Sequence, residues 1–421
     1  MKHRLDSIDD SESLYRAKVK WISDNLCTGL GKVDSRFVEE AILGITEGGS
    51  VRLTSISRAL KEKIPLHATH KRLSRNLGHE SIGKVLLQNL LKLGARQITQ
   101  DSLLVLYTTD IEKKYAEKMA FLGELGDQGM DIDKGESRKG YEVCEIVGAG
   151  NLQPTLLAGP DGEGLEVPHR DFVPLAQSMW SRNAPDYLGS SQHILNLVKE
   201  VRRVVGNRGI IVTSQHQDNH ALLKPWVESG IDRFIAGQKM DSRLQYRNGI
   251  HSVYDLVECC DTPYGGTVFR LGGNRETGIF IHFGFLPVRL PEAPEHPLFL
   301  VVLKGLHRPL ALLTNEPMRR NRKILQQTLE AYFEQWQVKA TNRFIKLDYQ
   351  FTDIRVLTYE RLKNMAALLL VTAYFDSLWP SGKRTLKGIR FEQRYGERDF
   401  YDWHSIGSSE EPESDNQHQQ M

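Results

Sequence analysis

Tyr332, Gln335, Lys339 and Lys346 follow one another at intervals of three, four and seven residues. An α-helix would carry all four along one face. Hard divalent cations require anionic oxygen ligands, which this stripe lacks, whereas a lysine in it can meet a phosphate directly. Arg319, Arg320, Arg322 and Lys323 cluster in MRRNRK at the start of the same stretch. Cations there oppose the helix dipole, so a phosphate partner is the functional reading and an exposed, neutral cluster the bland one. Arg343 beside Lys346 is a further phosphate contact or a solvated face. Asp110 closes the apolar run DSLLVLYTTD, as a site carboxylate or as a simple cap. In SQHQDNH, His216 and Asp218 alternate, which offers metal ligands if the loop is extended. Asp218 is otherwise the cap of the next helix.

The elements that must position these groups are readable from periodicity. Residues 11–95 have helical spacing with short polar breaks, which predicts a helical amino-terminal domain over residues 1–98. Within it, helices over about residues 55–63 and 67–77 flank Pro65, and the second carries Lys71, Arg72 and Arg75. This pair resembles a helix-turn-helix whose basic helix enters a major groove, an arrangement also found in bundles that bind nothing. Strands are predicted at residues 101–110, 140–150 and 152–160 as a hairpin or meander. A helix over 190–206, a strand over 208–214, a helix over 218–230 and a strand over 231–237 then argue for a mixed α/β sheet with parallel crossovers. Residues 238–315 alternate like a β-rich insertion. Helices resume over about 319–347 and 359–375, ahead of a carboxy-terminal segment, residues 381–421, with a polar tail expected to be disordered.

Composition sets outer limits. The 421 residues are 40% hydrophobic and 26% charged, which suits a globular chain of one large or several smaller cores. Lys and Arg number 55 against 53 Asp and Glu, but acids crowd residues 6–12 and 408–415. The middle is thus more basic than the total and permits a polyanionic partner. Four cysteines, irregularly spaced, form neither a disulfide framework nor a zinc motif and point to a reducing cytoplasm. There is no apolar run of membrane-spanning length and no secretory leader, so no membrane partner is expected; MAALLLVTAYF at residues 365–375 suits a buried helix.

The spacing from Tyr332 to Lys346 resembles the Y-x2-R-x3-E-x6-K signature of a large group of DDE-type insertion-sequence transposases. The order of elements is similar too, as are TTDIEKKYAEKMAFLG around Asp110, LLTNEP at residues 312–317 and TDIRVLTYERLKNMAALLLVTAYF after the signature helix. The resemblance spans roughly residues 35–380. It implies an RNase H-like core over residues 99–380, a mixed sheet whose last acid follows the β-rich insertion. It also implies three carboxylates holding two Mg2+ ions about 4 Å apart for phosphodiester cleavage.

Mapped onto this chain, the first acid is Asp110, the second is replaced by Ser214 and the third by Lys339, while Gln335 replaces the arginine. Two like unit charges 4 Å apart at an effective dielectric near 20 repel by about 4 kcal/mol, and a divalent ion doubles this, so an ammonium group would repel the metals. The resemblance therefore implies a transposase-like protein that binds DNA at element ends, as a homodimer on DNA, without cutting it. Two alternatives stay open. One is an active transposase with Asp218 or His216 as relocated ligands of Mg2+; the other is an inactive subunit regulating an active relative. All three imply a cytoplasmic, nucleoid-associated protein of a prokaryote.

Overall fold

A computed structural model of the chain describes residues 2–113, 118–125, 130–131, 136–158, 164–214, 219–230, 233–272, 275–318 and 322–379. His216, Asp218, Arg319, Arg320 and the segment 381–421 lie outside the described residues.

Five helices come first: α1 (Lys2–Leu26), α2 (Lys32–Gly48), α3 (Leu53–Ala59), α4 (Leu66–Asn76) and α5 (Ser81–Gly94). Apolar residues at helical spacing make their buried faces; in α2 these are Phe37, Val38, Ala41, Ile42 and Ile45. The helix pair around Pro65 is present, but α3 begins and ends earlier than residues 55–63. Lys61 adopts a left-handed φ of 49°, which turns the chain, and Pro65 in extended conformation then caps α4.

The remainder is mixed α/β. Its strands and helices are β1 (Leu103–Glu112), β2 (Gly123–Glu124), β3 (Met130–Asp131), β4 (Glu136–Ser137), β5 (Lys139–Ala158), β6 (Gly164–Trp180), α6 (Ser190–Val205), β7 (Ile210–Thr213), α7 (Asn219–Glu228) and β8 (Phe234–Gly237). There follow β9 (Arg243–Tyr246), β10 (Gly249–Ser252), α8 (Val253–Cys259), β11 (Tyr264–Gly272), β12 (Arg275–Leu290), β13 (Ala293–Lys304), β14 (Leu310–Thr314), α9 (Arg322–Asp348) and α10 (Tyr359–Leu378).

One twelve-stranded sheet runs β10-β9-β12-β13-β14-β8-β7-β1-β5-β2, with β6 beside β5 and β11 beside β12. β1 is antiparallel to β5 and parallel to β7, and β7 is parallel to β8. Leu103 to Leu106 are buried without interruption, as expected of a strand covered on both faces.

One expectation is corrected here. The strands expected over 140–150 and 152–160 are one over the described residues: β5 runs unbroken from Lys139 to Ala158, and its partner is β6, a strand absent from the sequence reading. A register shift between Ala149 and Leu152 absorbs Gly150 and Asn151, so the apparent break is a bulge. The β-rich stretch expected over residues 238–315 joins the main sheet, because β14 pairs with β8 and β13 with β14.

α10 is buried nearly all round, from Tyr359 to Phe375, and packs against α5, α2 and β6. Asn364, fully buried, ties α10 to the amino-terminal helices. Its Oδ1 accepts from Gly83 N (2.9 Å), and its Nδ2 donates to the carbonyls of Leu77 (2.8 Å) and His79 (2.9 Å). Glycine at position 83 permits this approach, since a Cβ there would lie 2.6 Å from Asn364 Oδ1. Among the described residues no helix is long and apolar enough to cross a membrane.

Candidate functional site

α9 lies against β1 and β7, and it brings Gln335, Lys339, Asn342 and Lys346 along one face. Asn342 Nδ2 donates to the Tyr107 hydroxyl and to Glu145 Oε2 (2.5 Å), and Lys346 Nζ donates to Thr109 Oγ1 (2.9 Å). Lys346 Nζ also lies 2.7 Å from Glu145 Oε2, which the Tyr107 hydroxyl approaches at 3.1 Å. Gln177 Nε2 donates to Glu145 Oε1 (2.9 Å). A fully buried carboxylate is thus met by one ammonium and three neutral donors. Burial pushes the Tyr107 phenol well above its ordinary range, and the Glu145 charge adds to the effect.

Tyr332 and Gln335 of the same helix are buried, so the aromatic end of the frame is core. Lys339 is partly buried, and loss of solvent pushes its ammonium down to about 7. Ser214 is buried just beyond the end of β7.

Asp110 stands apart from this assembly. Successive residues of a strand point to opposite faces, and Tyr107 and Thr109 face α9, so Asp110 faces away. Its neighbours are accordingly different: Arg138 lies 4.0 Å away while also donating to Glu112 (3.1 Å), and Glu142 is its cross-strand partner. Glu142 in turn accepts from Trp180 Nε1 (2.9 Å). Burial raises the Asp110 carboxyl above its ordinary range; Arg138 opposes this, and Glu142 and Glu112 reinforce it.

The basic candidates divide in the same way. Arg72 is held inside the amino-terminal helices, donating to Glu40 Oε2 (2.5 Å) and Glu62 Oε1 (2.8 Å). Glu62 also accepts from the Thr69 hydroxyl (2.6 Å), the main reason its carboxyl stays below the ordinary range. Lys71 and Arg75 are exposed on α4, and Lys323 and Arg343 are exposed on α9, which Arg322 opens.

The groups on the α9 face do not suit a pair of divalent cations. Among the described residues their one carboxylate, Glu145, is already neutralised by Lys346, and the groups around it are hydroxyls, two amides and that ammonium. Among the described residues no three His, Cys, Asp or Glu side chains are grouped to hold a metal ion.

Sequence reasoning missed Glu145, Asn342 and Tyr107. Glu145 left a signal, a lone acid inside the apolar run VCEIVGAG, which must find a partner when its strand is buried. No family model matches the chain, and no curated protein matches it.

Proposed function

We propose that this chain is a DNA-binding protein on an RNase H-like, transposase-derived scaffold and that it does not cut DNA. One observation carries the reading. An antiparallel meander of β1, β5 and β6 is followed by the parallel strands β7 and β8, and α9 is laid on that sheet with a polar, basic face whose carboxylate is internally neutralised. The sheet order and the signature helix support a nuclease-type scaffold, while the donor set argues against two-metal cleavage. DNA affinity on this reading comes from exposed cations, Lys71 and Arg75 on α4 with Lys323 and Arg343 on α9, acting on phosphates.

A mobility-shift assay with inverted-repeat DNA from the flanks of the gene tests the reading. Binding that weakens steeply with salt, and no nicking with Mg2+ or Mn2+, is the expected result. Absence of binding at low salt, or metal-dependent nicking, would sink it.

A further inference from the structure

We propose that Tyr107, Ser214 and Lys339, rather than Asp110, Ser214 and Lys339, stand at the three metal-ligand positions of this scaffold, so that no carboxylate remains at any of them. The proposal rests on the RNase H-like reading and adds the identity of the first position. Asp110 is then an ordinary charged residue of the opposite sheet face.

The registers of β1, β7 and α9 agree on Tyr107. On β1, Tyr107 and Thr109 touch α9, and alternation turns Asp110 to the other side. Between β1 and β7, Leu106 pairs with Thr213 in parallel register, so Ser214, the next residue, comes beside Tyr107 on the α9 face. Along α9, Asn342 meets Tyr107 and Lys346 meets Thr109. Four helical residues rise about 6 Å while two strand residues rise about 6.6 Å, so helix and strand advance together. Lys339 is three residues before Asn342 and falls about 4.5 Å behind it, a little over one strand position short of Tyr107 and more than about four short of Asp110.

The chemistry at that level agrees. Glu145 is the cross-strand partner of Tyr107, and its buried charge is balanced by the covalently attached ammonium of Lys346. A fixed internal cation thus occupies the ground where exchangeable cations would require three acids. Restoring acids at positions 214 and 339 alone leaves two ligands, because Asp110 is on the far side of the sheet.

Mn2+ binding to the full chain, measured by electron paramagnetic resonance and calorimetry, tests this. Ser214→Asp with Lys339→Glu should bind Mn2+ no better than the native chain. Adding Tyr107→Asp should tighten binding by about tenfold or more, as expected for a completed anionic set, and Asp110→Asn in that triple variant should change nothing. A gain in the double variant that Asp110→Asn abolishes would overturn the proposal, as would a folded triple variant with no gain. Should the triple variant not fold, cysteine pairs decide. In a Cys259→Ser background, a short thiol cross-linker should join Tyr107→Cys to Lys339→Cys and leave Asp110→Cys with Lys339→Cys unlinked; the reverse pattern overturns the assignment. Loss of DNA binding in the mobility-shift assay would defeat the functional reading alone, since neither metal affinity nor cross-linking depends on it.

Discussion

Lys346 on α9 and Glu145 on β5 form an ion pair of 2.7 Å, with the glutamate 1% and the lysine 12% exposed. They are 201 positions apart in sequence (346 − 145) and meet only because β1 brings β5 under α9. Breaking such a pair from one side leaves a buried charge uncompensated. Lys346→Met should therefore cost about 3–5 kcal/mol, and adding Glu145→Gln should recover much of it, as read from urea unfolding midpoints. A loss within about 0.5 kcal/mol, the range of an ordinary surface substitution, would mean that the pair is not formed in solution.

Arg72 and its neighbours on α4 should separate cleanly by phenotype. Arg72→Ala strips the shared cation from Glu40 and Glu62 and should lower stability by about 1–3 kcal/mol. Lys71→Ala and Arg75→Ala should each change stability by less than about 0.5 kcal/mol. Each should instead weaken DNA binding and reduce the salt dependence by about one counterion. Thermal melts beside salt-titrated binding curves provide the comparison.

Asn364 serves three backbone groups of the amino-terminal helices at once. Asn364→Leu removes every partner while nearly keeping volume, and should cost about 3 kcal/mol or more, because each orphaned buried group costs about 1–3 kcal/mol. Limited proteolysis should then cut first between α4 and α5. Unchanged protection there would contradict the role assigned to this side chain.

Alkaline pH should stabilise the fold before it harms it. Burial pushes Lys113, whose ammonium donates to the carbonyls of Thr352 and Ile354, down to about 8, and Lys339 down to about 7, from an ordinary 10.5. Between those values the unfolded chain holds protons that the folded chain has released, so raising the pH favours folding. The slope is at most about 1.4 kcal/mol per pH unit for each lysine. Above about pH 10 the buried phenols of Tyr107 and Tyr332, raised by burial, reverse the sign, because the unfolded chain loses those protons first. Denaturant midpoints at pH 7, 8 and 9 should rise for the native chain and rise less for Lys113→Met.

Much of this protein is legible along the chain because element type is a local property. A period of 3.6 or of 2 in apolar residues, with Pro65 as a break, is enough to place α3, α4, α6, α7, α9 and α10 and the strands β1, β7 and β8 in order. The helical face shared by Gln335, Lys339 and Lys346 follows from spacing alone, since a helix repeats over a few residues. β6 escaped this reading, and β5 was split at its bulge, because a bulge interrupts alternation without ending a strand.

The site was legible only in part. Arg72 reads in sequence as one of three equivalent cations, and only the approach of Glu40 from α2 together with Glu62 turns it inward. Asp110 reads as the natural acid at the end of a strand, while Tyr107 reads as one more core aromatic. Which of the two faces α9 depends on the parity of a strand against a helix more than 200 positions away (342 − 107). Strand alternation states only that neighbours point apart; the covering of one face by α9 decides which neighbour belongs to the site.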